Sequence, residues 1–133
     1  MQGDIRIIKN PRTREEINQL LKEGKFFHRE SAQGKWFKMS FDEQMGNIGS
    51  EVGRAANSKG KNEELFQGSF QRALELFDMT LEDSRWQGRR TEIARARELF
   101  CGAALGETEY HTTLHDLDNY FLQFAFAARK DLV

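Results

Sequence analysis

The chain has 133 residues, of which 38% are hydrophobic and 31% charged. This length fits one domain with a true hydrophobic core, and the 11 Phe side chains require a packed interior. The formal net charge of −1 gives no overall field that would favour nucleic acid or an anionic membrane. The single cysteine, Cys101, excludes an intrachain disulfide, and no apolar run approaches the roughly 20 residues of a membrane span. With no signal peptide at the N terminus, we expect a cytoplasmic protein.

Residues 1–38 differ in pattern from the rest and are predicted to form a small N-terminal extension. Asp4–Lys9 fits a short strand. A capping box at Thr13–Glu16 predicts a short helix that ends at Gly24. The apolar positions of this helix are Ile17, Leu20 and Leu21. The aromatic-rich stretches Lys25–Glu30 and Lys35–Met39 are typical of a hairpin, with a loose loop as the alternative.

Residues 39–133 carry four helical patterns, which predict an all-α protein built as an antiparallel four-helix bundle. The first helix begins at the capping box Ser40–Glu43 and ends within Ser58–Asn62, the second spans about 62–82, the third follows Ser84–Gln87 and closes at Gly106, and the fourth begins near Thr112 or Thr113. The apolar stripes predict that the following residues are buried: Phe70, Phe77, Ile93, Phe100, Leu117, Phe121 and Phe124.

Three glycines, Gly46, Gly49 and Gly53, lie inside the first predicted bundle helix. Each costs about 1 kcal/mol there relative to Ala, so something should offset the loss. Close approach of a neighbouring helix is the structural explanation, and close approach of a ligand is the functional one.

An arginine group on the third helix has two interpretations. Arg85, Arg89, Arg90 and Arg97 lie toward or beside its apolar stripe, as Glu51 does on the first helix. Either these side chains form ion pairs between helices, with Glu51 as the expected partner of Arg97, or they form a site for an anion or an RNA phosphate.

His111, His115 and Asp118 recur at i, i+4 and i+7, a spacing that can hold a divalent metal, although a solvated helix face has the same pattern. No Glu-x-x-His pair is present to make a di-iron site, and no nucleophile or phosphate-binding motif occurs. Cys101 fits a small core residue. The sequence therefore indicates no catalytic residues and no cofactor.

The second bundle helix has a second apolar stripe, opposite its Phe-rich side. This stripe contains Leu65, Leu76 and Met79, with Arg72 between them. Because a bundle helix needs only one apolar face, we expect the extra stripe to make a homodimer contact or to be covered by residues 1–38.

Residues 40–130 resemble a family of small uncharacterised prokaryotic helical proteins. The resemblance depends on the following residues: Gly49–Val52, Arg54, Arg72–Leu76, Asp78, Thr80, Asp83, Arg85, Gly88, Arg89, Glu92, Arg95, Arg97, Glu98, Tyr110, Tyr120, Phe121, Ala125 and Ala127–Arg129. It covers about two-thirds of the chain and implies a helical protein without implying an activity.

The predicted layout is also similar to the HEPN superfamily of helical bundles, which often dimerise and often act on or near RNA. HEPN ribonucleases use an Arg followed four to six residues later by a His. No Arg precedes His28, His111 or His115 at that distance, so this similarity implies a non-catalytic member.

These observations favour a non-enzymatic, self-associating interaction or regulatory module, with a further protein partner as another way to use the same surface. The first alternative is an HEPN-like RNA-binding or RNA-processing protein that uses the arginine group. The second is a metal-dependent bundle enzyme.

Overall fold

A computed structural model describes residues 34–107 and 111–131, and within these ranges the chain is all-α, as predicted. The four long helices are α1 (Phe41–Ser58), α2 (Glu63–Glu82), α3 (Arg90–Leu105) and α4 (Leu114–Asp131). A short 3₁₀ helix, Ser84–Arg89, joins α2 to α3.

The helices begin and end at the residues that the sequence signals indicate. At the start of α1 the Ser40 Oγ accepts from the Glu43 N–H, and the Glu43 carboxylate accepts from the Ser40 N–H at 2.9 Å. Thr113 and Asp116 make the same reciprocal pair before α4, with both bonds at 3.0 Å. Gly106, at φ 80°, ends α3 in the left-handed conformation that glycine adopts without strain.

Each helix packs against its neighbour along the chain, and α4 returns to pack against α1, so the four helices form a closed bundle. The four-residue connection 59–62 makes α1 and α2 antiparallel. Gly46 faces Ala125 while Gly53 faces Asp118, so α1 and α4 also run in opposite directions. The antiparallel up-and-down order matches the prediction.

The core is formed by the apolar stripes of all four helices. Every residue that the spacing predicted to be buried is at most 5% exposed, namely Phe70, Phe77, Ile93, Phe100, Leu117, Phe121 and Phe124. Their rings contact across helices: the Phe77 ring lies 5.9 Å from Phe100 and 6.0 Å from Phe121, between centroids. The helical phases read from the sequence are therefore confirmed.

The α1 glycines allow α4 to approach closely. A Cβ built on Gly49 would lie 2.5 Å from the Phe121 Cβ, a distance that real side chains do not adopt. A Cβ on Gly46 would lie 3.4 Å from the Ala125 Cα, which is ordinary contact. Helix packing is thus sufficient to explain the glycine at position 49.

The N-terminal extension differs from its prediction where it can be compared. Residues 34–36 are helical, and the N–H groups of Lys38 and Met39 donate to the carbonyls of Lys35 and Trp36, so the predicted strand Lys35–Met39 is wrong. The Trp36 indole is 4% exposed and donates to the Thr80 Oγ1 at 3.0 Å. The aromatic residue at position 36 is therefore explained by burial against the bundle and not by strand pairing. The predicted strand Asp4–Lys9, the helix within 13–24 and Lys25–Glu30 lie outside the described residues.

Gly49→Ala should lower the free energy of unfolding by about 1–3 kcal/mol, because overpacking against Phe121 outweighs the better helix propensity of Ala. Gly46→Ala is the matched control, one turn away on the same helix. It should be neutral or stabilising by up to about 1 kcal/mol. Urea unfolding of both variants checks the contrast, and equal effects would contradict the close-approach explanation of Gly49.

Candidate functional site

Arg85, the first of the predicted arginines, is held within the chain. Its Nε and Nη2 donate to the Asp83 carboxylate at 3.0 and 2.7 Å, and Nη2 also donates to the Met39 carbonyl at 2.8 Å. The guanidinium lies 4.4 Å from the centroid of the Trp86 ring. Hydrogen bonding from Arg85 lowers the pKa of the buried Asp83 carboxyl, against the opposing effect of burial.

Gln44 completes this polar cluster at the end of the bundle. The side chain is fully buried, and its Nε2 donates to the Trp36 carbonyl at 2.7 Å and to the Asp83 Oδ2 at 3.0 Å. Its Oε1 accepts from the Trp86 Nε1 at 2.9 Å. Both ends of the amide are therefore satisfied, as burial requires.

Arg89 and Arg90 also bind groups of the chain. The Arg89 guanidinium donates to Glu92 Oε1 at 3.0 Å and lies 3.9 Å from the centroid of the Phe41 ring. The Arg90 Nη1 donates to the Leu81 carbonyl at the end of α2. These contacts link the start of α3 to its neighbours.

Arg97 pairs with a carboxylate of another helix, as predicted, but the partner is Asp78 and not Glu51. The Arg97 Nε lies 3.0 Å from the Asp78 Oδ1. Glu51 instead pairs with Arg54 at 2.8 Å and with the Nε of Arg72 at 3.3 Å. The contact with Arg72 is an ion pair without an aligned hydrogen bond to the Glu51 Oε1. The expected partnership was wrong because α2 lies between the two residues along the ring of helices.

The four arginines thus each have a partner inside the chain: Asp83 for Arg85, Glu92 for Arg89, the Leu81 carbonyl for Arg90 and Asp78 for Arg97. This arrangement supports the interpretation as ion pairs between and within elements over a convergent phosphate site.

The predicted metal-ligand candidates are divided between two places. His111 and His115 line a groove at the end of the bundle, whereas Asp118 faces Gly53 between α1 and α4. Lys59 lines the same groove as the histidines and donates to two carbonyls at the end of α3, at 2.7 and 3.3 Å. Burial lowers the Lys59 pKa. Among residues 34–107 and 111–131, no three His, Cys, Asp or Glu side chains are grouped to hold a metal ion.

The predicted self-association stripe does not form one exposed surface. Leu65 is 46% exposed, but Met79 is only 2% exposed and Leu76 is half-buried against the core. Arg72 is ion-paired with Glu51. Met79 is therefore too deeply buried in this fold to contact a second copy.

A different surface, the α1–α4 groove, is the best candidate for a functional site. It is a shallow groove of about 330 Å³ between the two helices. The α1 side is lined by small or polar residues at i, i+4, i+7 and i+11, which are Gly46, Ser50, Gly53 and Asn57. The α4 side is lined by Asp118, Phe121, Leu122 and Ala125.

Two large apolar side chains stand beside this groove on α4. Leu122 is 45% exposed and Phe126 is 57% exposed. They are one helical turn apart and therefore adjacent on the surface. The Arg129 guanidinium lies 5.2 Å from the centroid of the Phe126 ring. The sequence analysis did not identify this pair. The signal was present, because two large apolar residues lie outside the buried stripe of α4.

A third groove, of about 390 Å³, separates α3 from α4 and is lined by Ala96, Leu99, Leu117 and Tyr120. The Tyr120 hydroxyl donates to Glu92 Oε2 at 3.1 Å. Burial, with a smaller effect from the Glu92 charge, raises the pKa of Tyr120 to about 12, so the phenol stays protonated at neutral pH.

No helix within the described ranges is long and apolar enough to cross a membrane. Comparison with protein-family models, curated proteins and solved structures found no match for this chain. The resemblance of residues 40–130 to small helical proteins and the similarity to HEPN bundles therefore stay predictions.

Asp83→Asn should reduce the loss of stability in acid. The pKa of Asp83 is lower in the folded chain than the unfolded value of about 3.9, so its carboxylate stabilises the fold above that value. This contribution disappears as the pH falls through the folded pKa. Urea unfolding between about pH 5 and pH 2 should show a smaller decline in the variant than in the wild type. Parallel declines in the two proteins would contradict this role of Asp83.

Proposed function

We propose that the protein is a non-enzymatic, cytoplasmic interaction module that forms a two-fold homodimer through the α1–α4 groove and its neighbouring apolar pair. The exposure of Leu122 and Phe126 beside a groove lined by small residues is the observation that supports this most directly. Water-exposed Leu and Phe side chains at adjacent helical positions are costly unless a partner buries them.

The surface is self-complementary in shape. Leu122 and Phe126 protrude from α4, and the α1 side of the groove carries small or polar residues, Gly46, Ser50, Gly53 and Asn57. In a two-fold contact the same patch meets itself, so the protruding pair of each copy enters the groove of the other. An antiparallel approach of the two α4 helices places Leu122 opposite Phe126 of the second copy.

The charges on α4 suit the same arrangement. Asp118 lies toward the start of this helix, and Arg129 lies in its last turn. The antiparallel register that pairs Leu122 with Phe126 of the second copy also brings Asp118 close to Arg129 of that copy. Two such pairs, related by the two-fold axis, add specificity more than affinity.

The dimensions are adequate for a modest dimer. α1 and α4 each have 18 residues and are about 27 Å long, so the two-helix face measures about 27 by 20 Å. Its accessible area, on the order of 500–800 Å², approaches the roughly 800 Å² per partner of a standard interface.

Leu122→Asp should raise the dissociation constant of the dimer by about tenfold or more, because it places a charge at the centre of the contact. Leu65→Asp is the matched control, since Leu65 is exposed to the same extent but lies on α2. Sedimentation of both variants over a concentration series measures the effect, with circular dichroism to confirm intact helices. A wild type that remains monomeric at high micromolar concentration, or a dimer lost only with Leu65→Asp, would refute this interface.

A charge exchange tests the antiparallel register separately. Asp118→Arg should weaken the dimer by repulsion from Arg129 of the second copy, and adding Arg129→Asp should restore part of the affinity. If the double variant is no tighter than Asp118→Arg alone, the two residues do not meet in the dimer.

A further inference from the structure

The α3–α4 groove, the third groove described above, shares α4 with the α1–α4 groove but is lined by different residues of that helix. Ala96 and Leu117 are buried and form its floor, while Leu99 and Tyr120 are half-buried. α4 packs closely along α1 and much less closely along α3, which leaves the groove of about 390 Å³. Clefts of this size and apolar character hold small organic molecules in many proteins.

The polar end of the groove is formed by Tyr120 and Glu92. The Tyr120 hydroxyl donates to Glu92 Oε2 at 3.1 Å, and burial keeps the phenol protonated by raising its pKa to about 12. Because the one phenol proton is directed at Glu92, the Tyr120 oxygen has only lone pairs left for another partner. The Glu92 carboxylate is also only an acceptor. This end of the groove therefore favours a ligand that donates a hydrogen bond.

The Tyr120 ring is fixed before any ligand binds. Its centroid lies 5.1 Å from that of Phe121 and 5.5 Å from that of Phe124, both in edge-to-face contact. The hydroxyl is held by Glu92 at the other end of the side chain. A wall that is already ordered loses little conformational freedom on binding, so the groove is preorganised for a ligand.

The charges around the groove cancel. Glu92 is paired with Arg89 at 3.0 Å, and Asp116 and Arg95, which also line the groove, carry opposite charges. Neither a cation nor an anion gains a net attraction there, and an ion would lose hydration against the apolar floor. The electrostatics therefore favour a neutral ligand.

We propose that the α3–α4 groove binds a small, neutral, largely apolar molecule with one hydrogen-bond donor directed at Tyr120 and Glu92. An aromatic amine has this chemistry, because its rings pack on Leu99 and Leu117 while its N–H reaches the acceptors. The proposal does not depend on the α1–α4 dimer, since the two sites use different residues.

Three probes of similar shape test the chemistry of this site in the full-length protein. The neutral dye N-phenylnaphthylamine, whose fluorescence rises in apolar surroundings, should bind saturably with one site per chain. Its anionic analogue, anilinonaphthalene sulfonate, should bind about tenfold or more weakly because the sulfonate loses hydration. Benzylnaphthalene, in which a methylene replaces the N–H, should compete about two- to tenfold less well than the amine, as expected for one hydrogen bond.

Three variants place the dye in the α3–α4 groove. Leu99→Asp should raise the dissociation constant of the neutral dye about tenfold, because it puts a charge on the apolar lining. Leu105→Asp is the matched control, since Leu105 is a half-buried leucine of the same helix that does not line this groove. Leu122→Asp, which changes the proposed dimer surface, should leave dye binding at the wild-type value.

Four outcomes would overturn the proposal: no saturable binding of the neutral dye, equal affinity for the sulfonate, equal competition by benzylnaphthalene, or a loss of binding in Leu122→Asp. The last would place the dye on the dimer surface instead. If circular dichroism shows that Leu99→Asp loses helicity, Leu99→Trp decides, because the larger side chain fills the groove without a charge. It should also raise the dissociation constant about tenfold, and an unchanged value refutes binding in this groove.

Discussion

The close contact between Gly49 on α1 and Phe121 on α4 is the constraint on which much of the bundle depends. Only a residue without a Cβ fits there, because an added carbon would lie 2.5 Å from the Phe121 Cβ. The contact fixes the Phe121 ring against Phe77 in the core. The next residue, Leu122, lies about 100° further round the helix, off the buried stripe, and is 45% exposed. The packing that forms the core thus also creates the exposed apolar pair beside the groove.

A buried polar cluster closes one end of the bundle. Gln44 connects Trp36, Asp83 and Trp86 through three hydrogen bonds, and Arg85 completes the charge balance. Polar groups in such a position are tolerated because every one has a partner, and their directional bonds admit only one arrangement of the segments that they join. The start of α1, the end of α2 and the turn that contains Trp36 are held together by this cluster, and the Trp36 indole also donates to Thr80 of α2.

The pairing of the charged residues inside the chain favours an apolar surface over the arginine group as the functional site. The chain has 20 basic and 21 acidic residues, and the arginines that looked available for an anion are paired inside the chain. Ion pairs of this kind contribute little net stability when exposed, but they consume the donors that a phosphate would need. Leu122 and Phe126 are exposed and are not part of the core. Burial of these two side chains by a partner would therefore be favourable.

Much of the fold followed from the sequence because its determinants are local. The capping pairs at Ser40 and Thr113, the glycine stop at Gly106 and the apolar spacing of the helices depend on residues within a few positions of one another. Tertiary structure alone decided the features that depend on which helix lies beside which: the partner of Arg97 and the burial of Met79. Helical periodicity states which residues share a face, but not what covers that face. The order of the helices around the core determines that, and this order is set by contacts between residues far apart in the chain.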